Sequence, residues 1–181
     1  MRDKTIYCII GASGSGKSTI AQELTKLGIP EVVSHTTRAP RENEINGIHY
    51  HFVSMEEFDS IDKLEFAVYG NNKYGTSRQE VELKFANSDK IICVIEINGL
   101  KQLKENYSNY ANIVSLFIKT DIETMKARMI ARNDSSENIE ARINTALKIN
   151  EFSNEKYADY IIDNRGSLED TLSKVKSIIG I

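Results

Sequence analysis

Gly11 to Thr19 reads GASGSGKST, and no other stretch constrains this chain so tightly. It fits the phosphate-loop pattern G-x-x-x-x-G-K-[ST], with Gly11, Gly16, Lys17 and Ser18 at the fixed positions. The glycines let the backbone curl so that successive N–H groups point inward at phosphate oxygens. Lys17 supplies a point charge for the β- and γ-phosphates of a nucleotide, and Ser18 offers a hydroxyl to Mg²⁺. The helix predicted to begin near Lys17 adds the positive end of its dipole. The flanks fit the motif. Thr5 to Ile10 (TIYCII) has strand character, and Ile20, Ala21, Leu24 and Leu27 recur at helical spacing.

The rest of the chain is compatible with a fold built on strand, loop and helix. Its 181 residues suggest one domain with room for inserted subdomains. With 40% apolar and 27% charged residues it has ordinary globular composition. A net charge of -3 argues against a general nucleic-acid binder, so an anionic ligand must be held by local cations. No apolar run is long enough to span a membrane, and the N-terminus shows no apolar leader; a cytoplasmic protein is expected. Cys8 and Cys93 each lie in an apolar run and read as buried, reduced thiols.

Strand candidates follow at Glu31 to Ser34, Ile48 to Val53, Glu65 to Tyr69, Lys90 to Ile97, Ile113 to Lys119 and Tyr160 to Asp163. Lys90 to Ile97 is the most apolar and is expected at the centre of the sheet. Asn71 to Lys73 reads as a turn. Helices are predicted over 54–61, opened by a Ser54/Glu57 capping box, over 77–86, 98–106 and 120–132, over about 137–157, and over 167–179. Ser77 with Glu80, and Thr120 with Glu123, are the expected caps of two of them. Alternating strands and helices imply an α/β fold: a three-layer, phosphate-loop NTPase-type parallel sheet with helices on both faces. Residues 35–76 form a small, mainly β insertion. The core then comprises 1–34, 77–119 and 158–181.

A second constellation lies in that insertion. Arg38 and Arg41 flank Pro40, which keeps the segment extended or turned, and planar guanidiniums suit bidentate phosphate recognition. Glu44 and Tyr50 follow closely and can orient an arginine or donate to a phosphate. Here the chain resembles the guanylate kinases. Their pattern is close to VSxTTRxPRxxExxGxxYxF, and Val33 to Phe52 reads VSHTTRAPRENEINGIHYHF. Tyr74-Gly75-Thr76-Ser77 is similar to a further family signature, and the resemblance covers nearly the whole chain.

The resemblance implies a nucleoside monophosphate kinase that moves the γ-phosphoryl group of ATP to GMP, with Mg²⁺. It implies that Arg38, Arg41, Tyr50 and Tyr74 hold the GMP phosphate, supported by Glu44. Ser34, Glu65 and Thr76 would read the guanine edge. A carboxylate at Glu65 would accept both guanine N1–H and the 2-amino group, a donor pair that adenine lacks. The ATP site would comprise Gly11, Ala12, Ser13, Gly14, Ser15, Gly16, Lys17, Ser18 and Thr19, with Asn164 near the adenine. Residues about 120–157 would be a helical lid carrying Arg128, Arg132 and Arg142 onto the transferring phosphoryl group, beside the catalytic Lys17 and Arg38. Arg128 and Arg132 share one helix face. The expected partners are these two nucleotides, with no nucleic acid and no membrane, in a monomer or homodimer.

Three positions depart from the family pattern. Ala12 stands for a common proline and Asn43 for a common glycine. After the central strand, where the family usually has D-I-D-x-Q-G, this chain has Val94-Ile95-Glu96-Ile97-Asn98-Gly99. Glu96 keeps one carboxylate, on the guanine side and near the lysine. Val94 removes the other, so a metal shell must be assembled from Ser18, Glu96, the phosphates and water. That change motivates an alternative acceptor, dGMP or another phosphorylated small molecule. A further alternative is a non-catalytic, guanylate-kinase-like module that binds phosphopeptides.

Overall fold

The strand Thr5–Ile10 (β1) alternates its side chains between two helix layers, and the fold is built outward from it. Ile6, Cys8 and Ile10 point into one apolar cluster, and Tyr7 and Ile9 into the other. The structure is a computed structural model that describes residues 3–131, 133–148 and 150–181. After the phosphate loop the chain forms α1 (Lys17–Lys26), β2 (His35–Thr36), β3 (His51–Phe52), α2 (Met55–Ser60), β4 (Lys63–Tyr69) and β5 (Asn72–Ser77). It continues through α3 (Arg78–Phe85), β6 (Lys90–Val94), α4 (Ile97–Tyr107), β7 (Asn112–Lys119) and α5 (Ile122–Ala131). Then come α6 (Ser136–Lys148), a 3-10 helix over Glu151–Tyr157, β8 (Tyr160–Asp163) and α7 (Leu168–Ile179).

Four parallel strands make the main sheet, in the order β6-β1-β7-β8. Helices α3 and α4 cover one face through Val81, Phe85, Leu100, Leu103 and Tyr107. Helices α1 and α7 cover the other through Ile20, Ala21, Leu24, Val175 and Ile179. Each fully buried aliphatic side chain contributes about 1.5–3 kcal/mol relative to exposure. A second sheet, β3-β2-β5-β4, lies within residues 35–77, with α2 joining β3 to β4. A third apolar cluster, Ala12, Met125, Met129 and Ile139, joins α5 and α6 to the phosphate loop.

Several sequence expectations are corrected. The Lys90 strand is not central: β1 is, and β6 ends the ladder. Its apolar character has another cause. Ile91 and Cys93 fill one cluster and Ile92 the other. Its outer edge is closed by the backbone of Pro30 and Val32, through Ile92 N–H to Pro30 O (2.9 Å) and Val32 N–H to Ile92 O (2.8 Å). The expected Glu31 strand shrinks to that single bridge, and the Ile48 strand to His51–Phe52. Strand β5 begins at Asn72, so the turn is Gly70-Asn71. Gly70 takes φ 60°, the left-handed first position of a two-residue hairpin. Asp121, not Thr120, caps α5, accepting Thr124 N–H at 2.7 Å. The long last lid helix stops at Lys148 and is followed by the 3-10 segment, which left-handed Asn150 (φ 54°) opens.

The Ser54/Glu57 capping box forms in both directions. Ser77 accepts Glu80 N–H, but the Glu80 carboxylate does not reciprocate. It is buried and accepts Val33 N–H (3.2 Å), Lys84 Nζ (3.1 Å) and His51 Nε2 (3.2 Å), which fastens the second sheet to the core. Burial opposes its ionisation, but these donors outweigh that and hold Glu80 below the ordinary glutamate value. Glu80→Gln should therefore lower the unfolding free energy at pH 7 by about 1–3 kcal/mol. A depressed native pKa contributes stability above the unfolded value, near 4.5, and loses it as pH falls through the native one. Urea titrations of both proteins at pH 7 and below pH 4.5 should show the gap closing on the acid side.

Candidate active site

The phosphate loop follows the buried end of β1 and is held in a conformation that only glycine adopts easily. Gly11, Gly14 and Gly16 have φ of 147°, 82° and 99°. Space forbids a side chain as well. A Cβ on Gly11 would lie 2.6 Å from Ile118 O, and one on Gly16 would lie 2.6 Å from Asn164 Nδ2. Lys17 opens α1, and its ammonium folds back onto Gly11 O (2.6 Å) and Ala12 O (3.1 Å). Burial lowers the pKa of this ammonium, and the Glu151 and Glu96 carboxylates oppose that shift. Ser18 and Thr19 are exposed beside it, while Ala12 and Ser15 are buried. Ser13 is half-buried, and its N–H donates to Glu151 Oε2 at 3.0 Å.

A second pocket is built from β2, β4, β5 and the loop that follows β2. Glu65 and Thr76 are register partners on β4 and β5. The Ser34 and Thr76 hydroxyls are 3.4 Å apart. Glu65 is 7% exposed; burial raises its pKa, Thr76 lowers it by hydrogen bonding, and Glu96 raises it again. Its carboxylate sits over the first turn of α4, where a Cβ on Gly99 would lie 2.6 Å from Glu65 Oε2. Glu96 is exposed at the N-terminus of α4. Because β6 runs in register beside β1, this end of α4 stands next to the phosphate loop.

The cationic part of this pocket is pre-arranged. Arg38 donates to Glu44 Oε1 at 2.8 Å and to Ala39 O at 2.7 Å. Its guanidinium lies over the rings of Tyr50 (5.6 Å) and Phe52 (5.7 Å). Tyr50 meets Tyr74 edge-on at 6.0 Å. Glu44 Oε2 accepts Arg41 N–H at 2.8 Å, which closes the loop around one carboxylate. The desolvation that would raise Glu44 is outweighed by Arg41 and Arg38, and its pKa is lowered. Asn43 has φ 73°, which explains a glycine or asparagine at this position. Arg41 itself is exposed.

The three arginines expected of a lid divide. Arg128 on α5 reaches the loop, donating to Ser15 O (3.3 Å) and Asn164 O (2.7 Å). Arg142 is half-buried on α6. Arg132 lies outside the described residues. Asn164 is 2% exposed, with Nδ2 on Ser15 O (2.7 Å) and Oδ1 accepting Thr171 Oγ1 (2.8 Å), so its amide ties the loop to α7. Val94 is paired with Ile9 and packs into the cluster beneath α1, so apolar burial replaces the expected carboxylate. Reading the sequence missed Gly99 and Glu151. The D-I-D-x-Q-G alignment marked the first; nothing in the residues 147–156 marked the second.

No group of three or more His, Cys, Asp or Glu side chains able to hold a metal occurs among the described residues. Mg²⁺ requires no such group, since it takes one or two protein oxygens and completes its shell with phosphate and water. Ser18 and Glu96 are the available donors. No described helix is long and apolar enough to cross a membrane.

Comparison with known proteins agrees with this geometry. The guanylate kinase family profile matches residues 3–180. A guanylate kinase of Helicobacter pylori is 39% identical over 186 residues, covering 98% of this chain and 85% of that protein. One of Fusobacterium nucleatum is 36% identical, covering 96% and 95%. One of Mesoplasma florum is 35% identical over 96% of this chain, which spans 60% of that protein's length. The crystal structure of guanylate kinase from Anaplasma phagocytophilum superposes with a TM-score of 0.68 at 25% identity, over 98% of this chain and 84% of that one. A phosphate loop beside an arginine- and tyrosine-lined pocket, matched along almost the whole length, means that this chain belongs to the guanylate kinase family.

Proposed function

We infer that this protein transfers the γ-phosphoryl group of ATP to GMP, giving ADP and GDP. The observation that carries this reading is the placement of the two sites: β6 runs in register beside β1, so the start of α4, whose Gly99 lies under the Glu65 carboxylate, stands next to the phosphate loop. All the groups required come from one chain, which supports a monomer or a homodimer of independent sites. Substrates of this class support a cytoplasmic setting.

The N–H groups of Gly14 to Ser18 wrap the ATP phosphates, and Lys17 turns from the Gly11 and Ala12 carbonyls to the β- and γ-oxygens. Glu65, with Ser34 and Thr76, accepts the donors of the guanine edge. Arg38, Arg41, Tyr50 and Tyr74 grip the GMP phosphate, with Arg38 already oriented by Glu44. That grip leaves one phosphate oxygen facing the γ-phosphorus. Its attack forms the new O–P bond as the bond from γ-phosphorus to the β–γ bridging oxygen breaks, with ADP leaving. The attacking oxygen is already ionised, so no general base is required. Arg128 and Arg142 of the lid concentrate positive charge on the migrating group. Ser18 and Glu96 would help to hold Mg²⁺, which would supply further charge neutralisation when bound.

The direct test is ADP release from Mg²⁺-ATP with GMP, dGMP, AMP, CMP and UMP in parallel. GMP should exceed AMP, CMP and UMP by roughly a hundredfold or more in kcat/KM. Equal turnover of AMP would overturn the assignment of Glu65. Lys17→Ala should abolish transfer while GMP still binds, measured by calorimetry; near-normal turnover would remove Lys17 from the mechanism. Gly99→Ala places a methyl group against the Glu65 carboxylate. It should raise KM for GMP severalfold and leave KM for ATP within about twofold, because the loop is untouched.

A further inference from the structure

We propose that Glu151 is a positioning residue for the ATP site, clamping the phosphate loop through the Ser13 N–H. The bond is 3.0 Å and joins residues 138 apart in sequence. Ser13 lies between Gly11 and Gly14, both at positive φ, so its own neighbours do little to fix it. The N–H groups that cradle phosphate begin beyond it. A carboxylate on Ser13 therefore fixes the upstream arm of the loop, and a charge-assisted bond is stronger than a neutral one.

The carboxylate is itself held in place. Asn150 takes φ 54° and turns the chain into the 3-10 segment, where Ser153 Oγ donates to Asn150 Oδ1 at 2.8 Å. Phe152 packs against the cluster of Ala12, Met125, Met129 and Ile139. Further along, Glu155 pairs with Lys119 at the end of β7 at 2.8 Å. Glu151 is thus fixed on both sides and meets the loop from the side of α5 and α6. Asn164 and Arg128 hold Ser15 O, two residues further along the loop. The loop is gripped at two points, and Glu151 supplies the second.

This inference rests on the loop being the ATP site but not on GMP being the acceptor. The test is calorimetric titration of Mg²⁺-ATP into wild type, Glu151→Gln and Glu151→Ala, without acceptor, followed by steady-state KM values for ATP and GMP. Glu151→Ala should weaken ATP binding roughly tenfold, the scale of one lost charge-assisted bond. Glu151→Gln, which keeps an acceptor oxygen of similar reach, should recover part of the loss. KM for GMP should stay within about twofold, a split that general unfolding would not produce. Unchanged ATP affinity in Glu151→Ala would overturn the proposal. So would a parallel loss of both substrates. Tighter ATP binding would also overturn it, since the carboxylate would then be a competitor for the phosphates. ATP that binds and responds to Glu151 while GMP is not turned over would leave the clamp standing and reject the acceptor.

Discussion

The Ser15 carbonyl, accepting Asn164 Nδ2 at 2.7 Å and Arg128 at 3.3 Å, is the contact on which the rest of the site depends. A loop with three left-handed glycines has no local reason to keep its shape, because the freedom that lets it curl also lets it uncurl. Its order must come from elsewhere in the chain. Asn164 arrives from the end of β8 and Arg128 from α5. Asn164 is in turn fixed by Thr171 of α7 and by its own N–H on Lys119 O. The parallel sheet is the rigid body to which these contacts refer. The loop is preorganised only because β1, β7 and β8 are paired in register. Preorganisation of this kind is where catalysis by positioning draws its advantage.

Charge is arranged by the same logic. The chain carries a net charge of -3, yet the proposed substrates are anions. Long-range attraction cannot hold them, so cations are kept in place by carboxylates that also restrain them. Glu44 holds Arg38, and Glu96 and Glu151 oppose the loss of charge at Lys17. Glu65 is placed differently. Burial and Glu96 push its pKa up, and only Thr76 pulls it down. A carboxylate poised this way gains from a ligand that offers two donors at once, which is the property guanine has and adenine lacks.

How much of this was legible in the sequence depended on how local its physics is. The loop, the Ser54/Glu57 capping box and the strand that leads into the loop were legible, because each is set by residues within a few positions. Strand order was not. Lys90 to Ile97 looked central because it is apolar throughout, but a strand is apolar on both faces wherever two helix layers sandwich it, even at the end of the ladder. Asp121 supplied the cap expected of Thr120 because the helix begins one residue later. Asn164 matched a family position near the ligand, yet its neighbours could not reveal that Ser15 and Thr171 would take both ends of its amide. Glu151 was invisible for the same reason: its partner is 138 residues away.

Helices α5 and α6 and the phosphate loop are therefore joined as one packed unit. The methyl of Ala12 packs with Met125, Met129 and Ile139, and a Cβ on Gly14 would lie 2.7 Å from Met129 Cε. Apolar contact without directional preference lets α5 and α6 shift while staying attached, since methionine side chains adapt to small displacements. The polar contacts of Arg128 and Glu151 are directional, and fix where that shift comes to rest. Replacing the family's common proline by Ala12 removes stiffness from the loop itself. More of the burden of holding it then falls on contacts from the lid. A displacement of α5 would consequently be felt at Ser15, and one of the 3-10 segment at Ser13, on either side of Gly14.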